Sequence, residues 1–177
     1  MKIQTSALYW AMIAVGSFVV LGCGPGDPES EVPEDADRCV ADEGGGEAME
    51  SREVALGVWE AGSFRAFQNG EEAELIAGFQ GGYMITPAVR VEAAGDSSAE
   101  ACFRVRLENA LMEGGEVGPG TLSQVVFARS GDFYYVESLY NLLGYDSGPL
   151  QGKTLLLSAT VSGVGFEGTQ ALTLRLK

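Results

Sequence analysis

Along most of this chain the hydrophobic positions recur every second residue, the spacing that buries one face of a strand and leaves the other in water. The pattern is cleanest over residues 171–177, where Leu172, Leu174 and Leu176 alternate with Thr173, Arg175 and Lys177. In the stretch 154–163, Leu155, Leu157, Ala159 and Val161 form an inner face opposite Thr154, Ser158, Thr160 and Ser162. Over 101–109, Phe103, Val105 and Leu107 point inward, while Arg104, Arg106, Glu108 and Cys102 point outward. Residues 83–93 alternate too. Pro87 lacks the N–H that a ladder needs, so an edge strand or a bulge is predicted there. Shorter strands are predicted over 54–59, 64–67, 73–79 and 122–128. Asn69-Gly70 and Ser130-Gly131 each sit between two such runs and predict hairpin turns. The segment 133–143 is ambiguous. Phe133, Val136, Tyr140 and Leu143 have helical spacing, with Asp132 as a cap and Gly144 as a stop. Phe133-Tyr134-Tyr135-Val136 is rich in strand formers, which favours strand.

Eight or nine short strands with little helix over 54–177 predict an all-β domain, an antiparallel two-sheet sandwich. The immunoglobulin-like version is the first expectation and a jelly roll the second. The cystine packed on a buried Trp that marks antibody domains is not supported by the residues.

The N-terminus has a different pattern. Lys2 precedes an apolar run from residue 7 to 21, which ends in Val20-Leu21-Gly22-Cys23. A short basic start, an apolar stretch of about fifteen residues and a small residue before the cut site is the layout of a secretory signal peptide. It falls short of the roughly 20 residues that span a bilayer. With Cys23 at the cut site, the segment resembles the lipobox of bacterial lipoproteins. The resemblance implies cleavage of residues 1–22, acylation of Cys23 and a membrane-tethered product. Gly24, rather than Asp, follows the cysteine, and by the same resemblance this points to the outer membrane of the cell envelope.

Charge separates the remainder into two parts. The chain has 11 basic and 25 acidic residues, a net charge of −14, and no histidine. Between Asp27 and Glu53 the acids Asp27, Glu29, Glu31, Glu34, Asp35, Asp37, Asp42, Glu43, Glu47, Glu50 and Glu53 face only Arg38 and Arg52. Together with Pro25, Pro28, Pro33 and Gly44-Gly45-Gly46, this composition makes 23–53 a disordered acidic linker that tethers the 54–177 domain. No D-x-D-x-D-G loop with a distal Glu is present to make it a calcium site. So acidic a chain is unsuited to nucleic acid, whose binding needs Lys and Arg to displace counterions. It is equally unsuited to anionic headgroups, which leaves the lipid as the expected contact with the membrane. With Cys23 committed to lipid, Cys39 and Cys102 are an even pair in an oxidising compartment, so a disulfide is expected. It would pin the linker to the outer face of a strand.

The stretch 64–92, with Asn69-Gly70 and then Gly78-Phe79-Gln80-Gly81-Gly82-Tyr83, resembles a pattern in uncharacterised secreted lipoproteins of myxobacteria-like bacteria. Those proteins are similar in plan: lipobox, acidic linker, then a β-sandwich with a Gln-Gly-Gly step into a long strand. They often have His after the two glycines, where this chain has Tyr83. The resemblance covers roughly a third of the domain and implies fold, not activity.

Without histidine, Ser-His-Asp and Cys-His catalysis and imidazole-based metal sites are excluded. A Ser–Lys dyad would need Lys153 or Lys177, and Lys153 reads as an exposed charge at a strand end. Glu71, Glu72 and Glu74 are numerous enough for paired-carboxylate chemistry, but they sit where a strand begins and charges are usually solvated. Gly81-Gly82 is no phosphate loop, because no Lys-Ser/Thr follows. No cofactor, metal site or catalytic residue is expected. The aromatics are the candidate binding residues: Tyr134, Tyr140 and Tyr145, with Tyr135 and Trp59 as neighbours. Exposed tyrosines stack on sugars or anchor protein contacts. Tyr134 and Tyr135 must face opposite sides of a strand, so only part of the set can share one surface. The expectation is a non-enzymatic, lipid-anchored interaction or binding module of the envelope, with a protein partner or a glycan as ligand. A carboxylate-based hydrolase is the least favoured reading.

Overall fold

The computed structural model describes Cys39, residues 50–78 and residues 81–177. The expected signal segment, Cys23 and most of the expected acidic linker lie outside the described residues. Within them are thirteen strands and no helix. In chain order these are β1 (Glu50–Ser51), β2 (Val54–Glu60), β3 (Ser63–Ala66), β4 (Glu71–Ala73), β5 (Ile76–Ala77), β6 (Tyr83–Ile85) and β7 (Ala88–Glu92). They continue as β8 (Glu100–Leu111), β9 (Gly120–Ser130), β10 (Phe133–Val136), β11 (Asn141–Gly144), β12 (Thr154–Gly163) and β13 (Phe166–Leu176). The all-β expectation holds.

The period-two pattern places its residues as expected on the long strands. Leu155, Leu157, Ala159 and Val161 of β12, Phe103, Val105 and Leu107 of β8, and Leu172, Leu174 and Leu176 of β13 are all buried. β13 runs antiparallel to β12 over ten residue pairs, and β12 in turn pairs with β8. Phe103 is the centre of the aromatic core. Its ring meets Phe127 at 5.1 Å, Phe166 at 5.2 Å and Tyr134 at 5.4 Å between centroids, each edge to face. That is the arrangement that sets ring edges against the negative faces of their neighbours.

The sheet arrangement departs from a two-sheet antiparallel sandwich. Ten strands form one sheet in the order β1-β13-β12-β8-β9-β10-β7-β2-β3, with β4 also on β13. Two of its pairings, β1 with β13 and β4 with β13, are parallel. The sheet curls until its β2 end approaches β13, where the Leu56 amide donates to the Gln170 side-chain oxygen. Gly168, within β13, permits that approach. A Cβ there would strike the Arg52 carbonyl and lie 2.6 Å from a Val54 methyl carbon. The inward faces of β2 and β7, carrying Val54, Leu56, Val89 and Val91, thereby close over those of β8, β12 and β13.

Turn chemistry is divided. Ser130 pairs with Phe133 across a two-residue turn, so the β9–β10 hairpin forms as expected. The Asn69-Gly70 turn forms but joins no hairpin, because β3 pairs with β2 and β4 with β13. It instead captures β13: the Gly70 amide donates to the Thr173 carbonyl at 2.8 Å, and the Thr173 amide donates to Asn69 Oδ1 at 3.0 Å. Pro87 marks a change of sheet rather than an edge or a bulge, with β6 before it in a small second sheet and β7 after it in the large one. The ambiguous 133–143 segment is strand, split into β10 and β11. The expected domain start at residue 54 is preceded by β1, which lies in the range assigned to the linker.

Cys39 and Cys102 are joined as a disulfide, with Cα atoms 5.2 Å apart and a sequence separation of 63. Cys102 stands on the outer face of β8, opposite in parity to buried Phe103. Closing a loop of that length removes unfolded-state entropy worth about 4 kcal/mol. Urea denaturation with and without a reductant should therefore show a loss of about that size on reduction; an unchanged midpoint would contradict this role.

Candidate functional site

β5, β6 and β11 form a separate three-stranded sheet in the order β11-β6-β5. It is tied to the large sheet by a pair of side-chain amides. Asn141 of β11 donates to Asn109 Oδ1 at 2.8 Å, and Asn109 of β8 donates back to Asn141 Oδ1 at 3.1 Å and to the Gly118 carbonyl at 3.0 Å. Among the described residues Asn141 is the polar side chain that is buried completely. A buried amide without partners would cost 1–3 kcal/mol or so, so this pair fixes which face of β11 turns inward.

Parity does the rest. With Asn141 and Leu143 inside, Tyr140 and Leu142 point out. Leu142 lies opposite Met84, and Met84 lies opposite Ile76, so these three form an apolar row across the small sheet. Between Leu142 and Gly144 the register slips by one residue against β6. This bulge reverses the alternation beyond it and brings Tyr145 to the same face, above Gly82. A Cβ on Gly82 would lie 2.5 Å from Leu142 Cδ1 and 3.7 Å from Tyr145 Cε1; the missing side chain leaves the floor open between them.

The result is a groove of about 630 Å³ lined by Ile76, Ala77, Gly78, Gly82, Met84, Tyr140, Leu142 and Tyr145. Tyr140 is 74% and Tyr145 71% exposed, and Ile76 (41%) and Leu142 (38%) also reach solvent. Among the described residues of this lining, the polar side-chain atoms are the two phenol hydroxyls. The exposed rings and the floor beneath them form one contiguous apolar surface, which makes the groove the candidate binding site.

Beyond Ile76 lies a second depression of about 460 Å³ whose lining includes Glu60, Arg65, Glu71, Glu72, Glu74 and Lys177. Arg65 bridges Glu60 at 3.1 Å and Glu71 at 2.8 Å, and Lys177 meets Glu72 at 3.4 Å. The hydrogen bond from Arg65 holds Glu60 below the usual carboxylate range. Glu71 and Glu72, weighed above as catalytic carboxylates, are thus engaged in ion pairs. No group of three or more Cys, Asp or Glu able to hold a metal occurs among the described residues.

The other aromatics are placed elsewhere. Tyr134 is fully buried beneath Phe103, so it cannot join an exposed surface, and its place among the binding candidates is corrected. Its hydroxyl donates to the Ser98 carbonyl at 3.0 Å. Trp59 and Tyr135 stack on each other at 4.6 Å on the outside of the large sheet. Beside them Arg90 sits over both Phe133 and Phe64 and bridges Glu53 at 3.1 Å. That layer is packed against itself. Of the three tyrosines singled out, only Tyr140 and Tyr145 meet, while the floor residues Ile76, Met84 and Leu142 carried no distinguishing signal in the sequence. No family model matches this chain, and no match to a curated protein or a solved structure was found.

Two outcomes are expected. Tyr140→Ala and Tyr145→Ala should each change unfolding free energy by no more than about 0.5 kcal/mol, whereas Tyr134→Ala should cost about 3–5 kcal/mol, as read by urea denaturation. Burial, and then the nearby Asp96 carboxylate, raise the Tyr134 phenol above its ordinary value. The folded state therefore favours the neutral phenol. Its contribution is complete below the unfolded value near pH 10 or so, and is lost as pH rises through the higher native one. Stability should decline above that pH, and Tyr134→Phe should flatten the decline.

Proposed function

We propose that this chain is a non-enzymatic interaction module of the bacterial cell envelope, held at the outer membrane by lipid on Cys23 and presenting the groove to a partner. The observation that carries the reading is the open apolar row Ile76–Met84–Leu142 flanked by the exposed rings of Tyr140 and Tyr145. A soluble domain exposes such a surface at a cost in solubility, and the residue types are those that concentrate binding energy when covered. The lipobox and the Cys39–Cys102 bond support the location, since disulfides persist in oxidising compartments. The fold we assign to the module is sandwich-like, with one curled sheet supplying both walls. A glycan is the alternative ligand, because two exposed tyrosine rings can stack on sugar faces.

Site-directed photocrosslinking in native membranes tests the proposal. A crosslinking amino acid at position 145 should capture one dominant partner, while the same group at Thr160, on the outer face of β12, should capture none. Equal capture from both positions, or from neither, would sink it.

A further inference from the structure

We infer that the groove takes a cationic segment of a partner protein, an aromatic or branched apolar side chain flanked by Lys or Arg. The inference rests on the reading of the groove as the binding surface and names the chemistry of its occupant.

Charge selects this occupant. The small sheet is built from two stretches of chain that contain no basic residue. Between Arg65 and Arg90 the charged residues are Glu71, Glu72 and Glu74. Between Arg129 and Lys153 they are Asp132 in the β9–β10 turn, Glu137 in a separate depression beside Trp59, and Asp146. Glu74 stands two residues before Ile76, and Asp146 directly follows Tyr145. The depression that shares Ile76 with the groove holds four glutamates against Arg65 and Lys177, both already paired with them. An apolar seat with an acidic surround repels anionic lipid and nucleic acid and draws in a basic partner.

Shape agrees. β5 ends the small sheet and has no strand on its outer side among the described residues. An extended segment laid along it would turn alternate side chains over the row of Ile76, Met84 and Leu142. Among the described residues, the lining side chains offer a sugar two phenol hydroxyls as hydrogen-bond partners.

The test uses the full chain in phosphatidylcholine nanodiscs and three blocked peptides, titrated calorimetrically: Lys-Trp-Lys-Leu-Lys, Glu-Trp-Glu-Leu-Glu and Lys-Ala-Lys-Ala-Lys. The first should bind at least about tenfold more tightly than either of the others, and severalfold more weakly at high salt. Tyr140→Ser with Tyr145→Ser should weaken it about tenfold, with the melting temperature checked to be unchanged. Equal binding of the acidic peptide would overturn the charge inference and leave the groove as a binding surface. Equal binding of the Ala peptide, or no effect of the tyrosine substitutions, would show attraction to net charge alone and overturn it. If no peptide binds, the inference falls. Capture from position 145 would then preserve the interaction reading, and its absence would remove both. Binding of chitohexaose in place of the peptides would overturn it in favour of a glycan ligand.

Discussion

The reciprocal amide bonds between Asn109 and Asn141 are the constraint on which the outer surface of this protein depends. Each side chain supplies what the other lacks, a donor for an acceptor, so both can leave water together. Moving Asn141 out by one residue would strand Asn109 and bury Leu142 in its place. Because strand parity is two, a single satisfied amide decides the facing of the whole of β11. The exposure of Tyr140 and Leu142 follows from the burial of Asn141.

The large sheet solves a related problem by curling. Ten strands laid flat would leave the inward faces of β8, β12 and β13 open to water. Twist and the approach of β2 to β13 fold those faces onto Val54, Leu56, Val89 and Val91, and Phe103 fills the interior with three edge-to-face ring contacts. β13 is the hub of this arrangement, since it is paired with β12, β1 and β4. The absent side chain of Gly168 is what lets the chain pass so close to it.

The groove joins these two devices to electrostatics. Its floor comes from register and its Tyr145 wall from a bulge, and the two stretches of chain that build the small sheet carry carboxylates and no cations. In the neighbouring depression Glu60, Glu71 and Glu72 are engaged in ion pairs with Arg65 and Lys177. What the surface has is an open hydrophobic area with carboxylates in the chain on either side of it.

Much of the fold was legible in the sequence because alternation along a long strand is a local property. β8, β12 and the second half of β13, and the Ser130-Gly131 hairpin, could be read from neighbouring residues alone. The Cys39–Cys102 pairing followed from cysteine number and compartment. Tyr140 and Tyr145 were legible as candidates by type, but Tyr134 was grouped with them although it is core. Which of two strand faces turns inward depends on what lies across the sheet, and only the tertiary structure supplies that. The parallel pairings of β1 and β4 with β13 join segments far apart in sequence, so no local spacing announces them. The bulge in β11 likewise exists only relative to β6. Sequence alone therefore determined the long strands β8 and β12, the alternation along them and the charge of the chain. Long-range pairing decided the curl of the sheet and the meeting of Tyr140 with Tyr145, because register is a relation between two strands and is carried by neither.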